Sequence, residues 1–154
     1  MRVKESEPDV AAEPLAHAAG REDRLQVLVV DANTTSRTHV QVALGDGYVV
    51  RFVGTVHEAI EDLTQSLPDL LVSEIDLPSE SGLTLCEYVR SLPEGVNLPI
   101  MLLTGRASIQ DKVAGFQAGA DDYVVKPLDP RLFFARVRLL CRIKGIEQRR
   151  GVRA

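Results

Sequence analysis

Residues 68–83 read PDLLVSEIDLPSESGL. Within them, Leu70–Ile75 is a short apolar run that closes on two acids, Glu74 and Asp76. A run of this length and uniformity reads as a strand buried on both faces, as in a parallel sheet wrapped by helices. Leu25–Val30 (LQVLVV) has the same character. Tyr48–Val53, Pro99–Leu103 and the shorter Asp122–Val125 complete five candidate strands.

The segments between them carry helical spacing. Thr34–Leu44 is halted by Gly45 and Gly47. His57–Ser66 places Ala59, Ile60 and Leu63 inward and ends before Pro68. Gly82–Ser91 is amphipathic, and Ser108–Ala118 carries Ile109, Val113 and Phe116 on one face. Asp129 caps a last helix with Pro130 at its first position, and that helix runs past Leu140 toward Arg149. Strand and helix thus alternate five times. Short connections of this kind imply parallel strands with right-handed crossovers and helices on both faces. In open sheets of this sort the working site lies beyond the carboxyl ends of the strands. Asp31, Glu74, Thr104 and Lys126 all stand at or just past such ends.

Composition agrees with one domain. The chain has 154 residues, 45% of them hydrophobic and 26% charged, with no Trp. That is enough for a single core. Met1–Asp23 is rich in Glu, Ala and Pro without an apolar period and reads as a disordered leader. The body follows over residues 24–142, and residues 143–154 read as a basic helical extension or tail. The net charge of -4 argues against a general nucleic-acid-binding role. It is unevenly spread: Leu25–Cys141 holds 9 basic and 15 acidic residues, and Arg142–Ala154 holds 5 and 1. Cys86 and Cys141 sit in helical patterns as buried or half-buried thiols, too few for a disulfide framework or a zinc site. No window resembles a signal peptide or a membrane span, so a cytoplasmic protein without a membrane partner is expected.

If the first and third strands are neighbours, Asp31 and Glu74 approach in a concave site with Asp76 at its rim. Clustered carboxylates call for a cation, either Lys126 or a hard metal such as Mg²⁺. Thr104 adds a hydroxyl. A small α/β enzyme or nucleotide binder is the competing reading. It is disfavoured because no Gly-rich loop follows the first strand. His17, His39 and His57 also lie away from the strand ends.

The segments LVVDANTTSR, PDLLVSEIDLPSESGL, PIMLLTG and GADDYVVKP, in this order and spacing, closely resemble the receiver domain of two-component response regulators. The resemblance covers about Arg24 to Arg142. It implies a flavodoxin-like, doubly wound five-stranded parallel sheet with strand order 2-1-3-4-5. It implies a non-enzymatic signalling module in a phosphorelay. Carried over by position, Asp31 matches the first acid after the first strand, and Ala32 stands where a second acid would hold Mg²⁺. Glu74 stands at the phosphoacceptor aspartate, and Asp76 matches a residue whose backbone carbonyl helps hold the metal. Thr104 matches the hydroxyl that reaches the phosphoryl group and Tyr123 the rotating aromatic. Lys126 matches the lysine that pairs with the acceptor, and its bond to Pro127 is expected to be cis.

Two departures fall at the chemical centre. Glu74 carries its carboxylate farther than an aspartate by one methylene, about 1.5 Å. A misplacement of about 1 Å can cost about 100-fold in rate. Ala32 removes a ligand charge, so Mg²⁺ binding at Asp31, Glu74 and Asp76 is expected to be weak or lost and no cofactor is expected. The first expectation is therefore a phosphorylation-independent receiver that works by binding protein. In it, Glu74 partly imitates the phosphorylated state by pairing with Lys126 and accepting from Thr104, or else holds an inert conformation. The alternative is a receiver that still accepts phosphate on Asp76 or Glu74. The resemblance places a partner or homodimer face on the fourth helix, fifth strand and fifth helix. Here that face offers Lys112, Asp121, Asp122, Arg136 and Arg138, with Leu132 where an acid usually stands. The basic end suits an acidic protein surface or a connection to a further domain.

Overall fold

The computed structural model describes residues 24–153. The leader expected for residues 1–23 lies outside the described residues. Five strands form one parallel sheet: β1 (Leu25–Val30), β2 (Tyr48–Val53), β3 (Leu70–Ser73), β4 (Ile100–Thr104) and β5 (Asp122–Val125), ordered 2-1-3-4-5. Five helices connect and follow them: α1 (Thr34–Leu44), α2 (Val56–Gln65), α3 (Gly82–Ser91), α4 (Ile109–Ala118) and α5 (Pro130–Arg153).

Alternate residues of each strand feed two cores. Leu28, Val30, Leu71, Ile100 and Leu102 meet Ala59 and Leu63 of α2 and Leu85, Cys86 and Val89 of α3. Val27, Val29, Leu70, Val72, Met101 and Leu103 meet Val40 and Leu44 of α1 and Phe133 and Val137 of α5. This two-sided burial is why the strands are apolar almost throughout. Each helix opens on a side-chain cap: Asn33, Thr55, Ser81 and Ser108 accept from the first turns of α1 to α4. Asp129 accepts from Arg131 and Leu132 at the start of α5.

Several boundaries differ from the sequence reading, each for a local reason. β3 stops at Ser73: the Glu74 amide still reaches Val30 O of β1, but the Ile75 and Asp76 amides are taken by the Glu74 carboxylate instead of a neighbouring strand. β4 begins at Ile100, since Pro99 has no N–H and contributes only its carbonyl, to Leu71 at 3.0 Å. α5 continues through Gly145 to Arg153, four residues beyond the expected end. In α4, Ile109, Val113 and Phe116 do share a face, but it is the exposed one, at 76%, 47% and 49%. The buried side of α4 is made by Gly115 and Ala118. A Cβ on Gly115 would stand 2.8 Å from Leu102 and 2.9 Å from the Tyr123 ring, so only glycine lets the helix lie so close. Among the described residues no helix is long and apolar enough to cross a membrane.

Candidate functional site

Hydrogen bonds one step beyond the strands fix the residues at the carboxyl edge of the sheet. The Asp31 amide donates to Val53 O, the Glu74 amide to Val30 O and the Lys126 amide to Thr104 O, all within 2.8–2.9 Å. The three side chains converge there. Lys126 Nζ lies 2.9 Å from Asp31 Oδ2 and 2.8 Å from Glu74 Oε1. Both carboxylates are buried, and each has a second engagement. Asp31 Oδ1 accepts from the Asn33 amide at 2.9 Å. Glu74 Oε2 accepts from the amides of Ile75 at 2.7 Å and Asp76 at 3.0 Å. Desolvation pulls the Lys126 pKa down, but the hydrogen bonds and charges of Asp31 and Glu74 together outweigh it and hold the ammonium above its ordinary value. The cluster lies in an open cleft lined also by Ala32, Asn33 and Asp76. The Lys126–Pro127 peptide is cis.

The loop after β3 packs tightly over this cluster. The Gly82 amide donates to Ile75 O at 2.8 Å. A Cβ on Gly82 would collide with the Glu74 carbonyl, so a side chain there would displace the residue it covers.

Thr104 and Tyr123 divide in their behaviour. Tyr123 points inward, only 7% exposed, and its hydroxyl donates to the Arg106 carbonyl at 2.8 Å. Burial is the largest cause raising its pKa. Thr104 is fully buried, but the contact expected with Glu74 is not made. Its hydroxyl accepts from the Arg106 amide at 3.4 Å. The Glu74 carboxylate is taken up instead by Lys126 and by the Ile75 and Asp76 amides.

Asp76 stands at the rim as expected, but its carboxylate is engaged by Arg106. The guanidinium donates from Nε to both oxygens at 3.0 Å and from Nη2 to Oδ1 at 2.6 Å. The hydrogen bond from Arg106 holds Asp76 below the usual carboxylate range. Asp76 in turn holds the guanidinium above its ordinary value. Arg106 is the residue that sequence reasoning missed. Its only signal was position: it lies two residues past the end of β4, the strand that pairs with β3.

On the face of α4, β5 and α5 three of the anticipated charges, Asp121, Asp122 and Arg136, are satisfied within the chain. Asp121 accepts from Arg90 at 2.9 Å and from the Ile100 amide at 2.9 Å. Asp122 pairs with Arg136 at 2.6 Å. Arg138 lies over the Phe134 ring at 5.9 Å, Lys112 is half-buried, and Leu132 is 50% exposed.

Comparison with known proteins agrees with this architecture. The chain is 38% identical to the response regulator MprA of Mycobacterium ulcerans over 124 residues, covering 80% of this chain and 53% of that protein. It is 41% identical to the transcriptional regulatory protein PhoP of Escherichia coli K12 over 119 residues, covering 77% and 52%. The chain thus spans about half the length of the curated relatives it matches. Among solved structures, a response regulator from Chloroflexus aurantiacus superposes with a TM-score of 0.74 at 38% identity, covering 77% of this chain and 98% of that one. A CheY-like receiver domain protein from Methanospirillum hungatei gives 0.74 at 26% identity, covering 80% and 98%. Residues 27–138 match the family model described as response regulator receiver domain, and the chain belongs to that family.

Proposed function

We propose that this receiver works as a protein-binding module whose conformation is set by its own side chains and not by phosphoryl transfer. The observation that carries this reading is the occupation of Glu74. One oxygen is paired with Lys126 and the other accepts two backbone amides, so the carboxylate at the acceptor position is held on both sides. An in-line attack requires a free oxygen aligned with the donor phosphorus.

The family's Mg²⁺ does not fit these residues. A hard cation needs several oxygen ligands. Here position 32 offers a methyl group, and the two buried carboxylates already share an ammonium. Asp76 is bound by Arg106 in a geometry that leaves its charge compensated. No step is therefore assigned to a metal.

The inward Tyr123 gives the module a fixed face on α4, β5 and α5, where Ile109, Val113, Phe116 and Leu132 are exposed beside Lys112 and Arg138. This is the surface assigned to a signalling partner, with a second copy of the chain as its first occupant. The mixed charge and the net balance of -4 disfavour direct nucleic-acid binding by this domain. Incubation of the native protein with acetyl phosphate and Mg²⁺, read by intact mass, tests the proposal. The expected result is no added phosphoryl group. An acid-stable, hydroxylamine-labile adduct mapped to Glu74 or Asp76 would replace it with the phosphoacceptor reading.

A further inference from the structure

We infer that Arg106 is a latch: by clamping the loop between β4 and α4 onto Asp76, it holds the Tyr123 ring inward. The residue touches both Thr104 and Tyr123 as well as Asp76. Its guanidinium grips Asp76 through three donor contacts of 2.6–3.0 Å. Its Nη1 reaches Asp111, in the first turn of α4, at 3.6 Å. Its amide donates to Thr104, and its carbonyl receives the Tyr123 hydroxyl at 2.8 Å.

A backbone carbonyl in a loop is a fixed acceptor only if the loop is fixed. Residues 105–110 are all exposed, and a Cβ on Gly105 would meet nothing within 4 Å, so packing does little to hold this segment. The side-chain anchors of Arg106 supply what packing does not. The ring itself has a berth. Gly115 leaves the space into which its edge fits, and Phe116 lies 6.4 Å away on the same helix. The berth accepts the ring, and the latch keeps the hydroxyl's partner in place. Release of Asp76 from Arg106 therefore frees the loop and lets the ring leave.

The controlling ion pair is on the solvent side, with side chains 48% and 57% exposed, and not among the buried Asp31, Glu74 and Lys126. The conformation of the α4–β5–α5 face is thus set from the rim of the site. This deepens the reading of a switch governed by the chain's own side chains, yet it involves no phosphoryl chemistry and is tested on the unmodified chain.

Nitration with tetranitromethane, followed by peptide mass spectrometry, reads Tyr123 against Tyr88 in the same molecule. In the native protein Tyr123 reacts slowly. Arg106→Ala and Asp76→Asn are each expected to raise the Tyr123 rate several-fold relative to Tyr88 while the circular dichroism is unchanged. The exchanged pair, Asp76→Arg with Arg106→Asp, is expected to restore slow reaction. Should Tyr123 stay equally protected in both single variants, the latch is wrong. Should both singles react faster but the exchanged pair fail to restore protection, the ion pair is not the clamp, and the latch is likewise overturned. Phosphoryl uptake by the native chain would defeat the preceding proposal and leave the nitration comparison intact.

Discussion

At Lys126 one ammonium compensates two buried carboxylates, and the balance is testable. Lys126→Met keeps the length of the side chain but leaves Asp31 and Glu74 facing each other without a cation. Removing one partner from a largely buried ion cluster costs about 2–4 kcal/mol. Urea unfolding at neutral pH should show that loss. The native chain has its own pH window. Because the Lys126 pKa is raised in the folded state above its ordinary 10.5, the stabilisation is complete below that value and disappears as pH rises through the folded one. Unfolding curves between about pH 10 and 12 should therefore fall for the native chain and stay flatter for the variant. Asp31, Glu74 and Lys126 were legible in the sequence, since each is the first charged residue after an apolar strand and parallel topology gathers those ends. The partner of Thr104 was not legible. Whether a glutamate reaches across to a neighbouring strand or turns back to its own amides is a rotamer outcome that no pattern encodes. Arg106 was obscured similarly, because loop paths follow contacts and not periodicity.

Among the elements, the connection from β3 to α3 determines how closely the backbone covers the site. Gly82 starts α3 with no room for a Cβ against the Glu74 carbonyl. Gly82→Ala should lower stability by about 1–3 kcal/mol through overpacking, measured as a drop in urea midpoint with an unchanged slope. A neutral result would mean that this loop is looser than its hydrogen bond from Gly82 to Ile75 indicates. The strands themselves were readable to within a residue or two, because burial on both faces leaves little choice of residue. α4 was readable as a helix but not in its orientation. Its larger residues, Ile109, Val113 and Phe116, formed the apolar stripe, whereas the face against the sheet is chosen by Gly115 and Ala118. Close approach of the backbone to the Tyr123 ring outweighed apolar periodicity.

For the whole molecule, the exposed apolar residues of α4 and α5 predict association. Ile109, Val113 and Phe116 form an exposed apolar stripe along α4, and Leu132 is exposed in the first turn of α5. Sedimentation velocity should find a concentration-dependent dimer in the native chain and a monomer for Phe116→Glu, with both folded. A native chain that remains monomeric at high concentration would leave this face to a different protein. The doubly wound sheet and its site edge were legible because alternating elements permit few topologies, whereas what the face binds depends on a partner's chemistry that one chain does not record. The account depends most on the claim that Ala32 and Glu74 together keep a receiver scaffold from carrying a phosphoryl group. The measurement that reaches it most directly is intact mass after acetyl phosphate and Mg²⁺, on the native chain beside the double change Ala32→Asp with Glu74→Asp. The expected result is a phosphoryl adduct on the double variant alone. An adduct on the native chain, or none on a folded double variant, would contradict it.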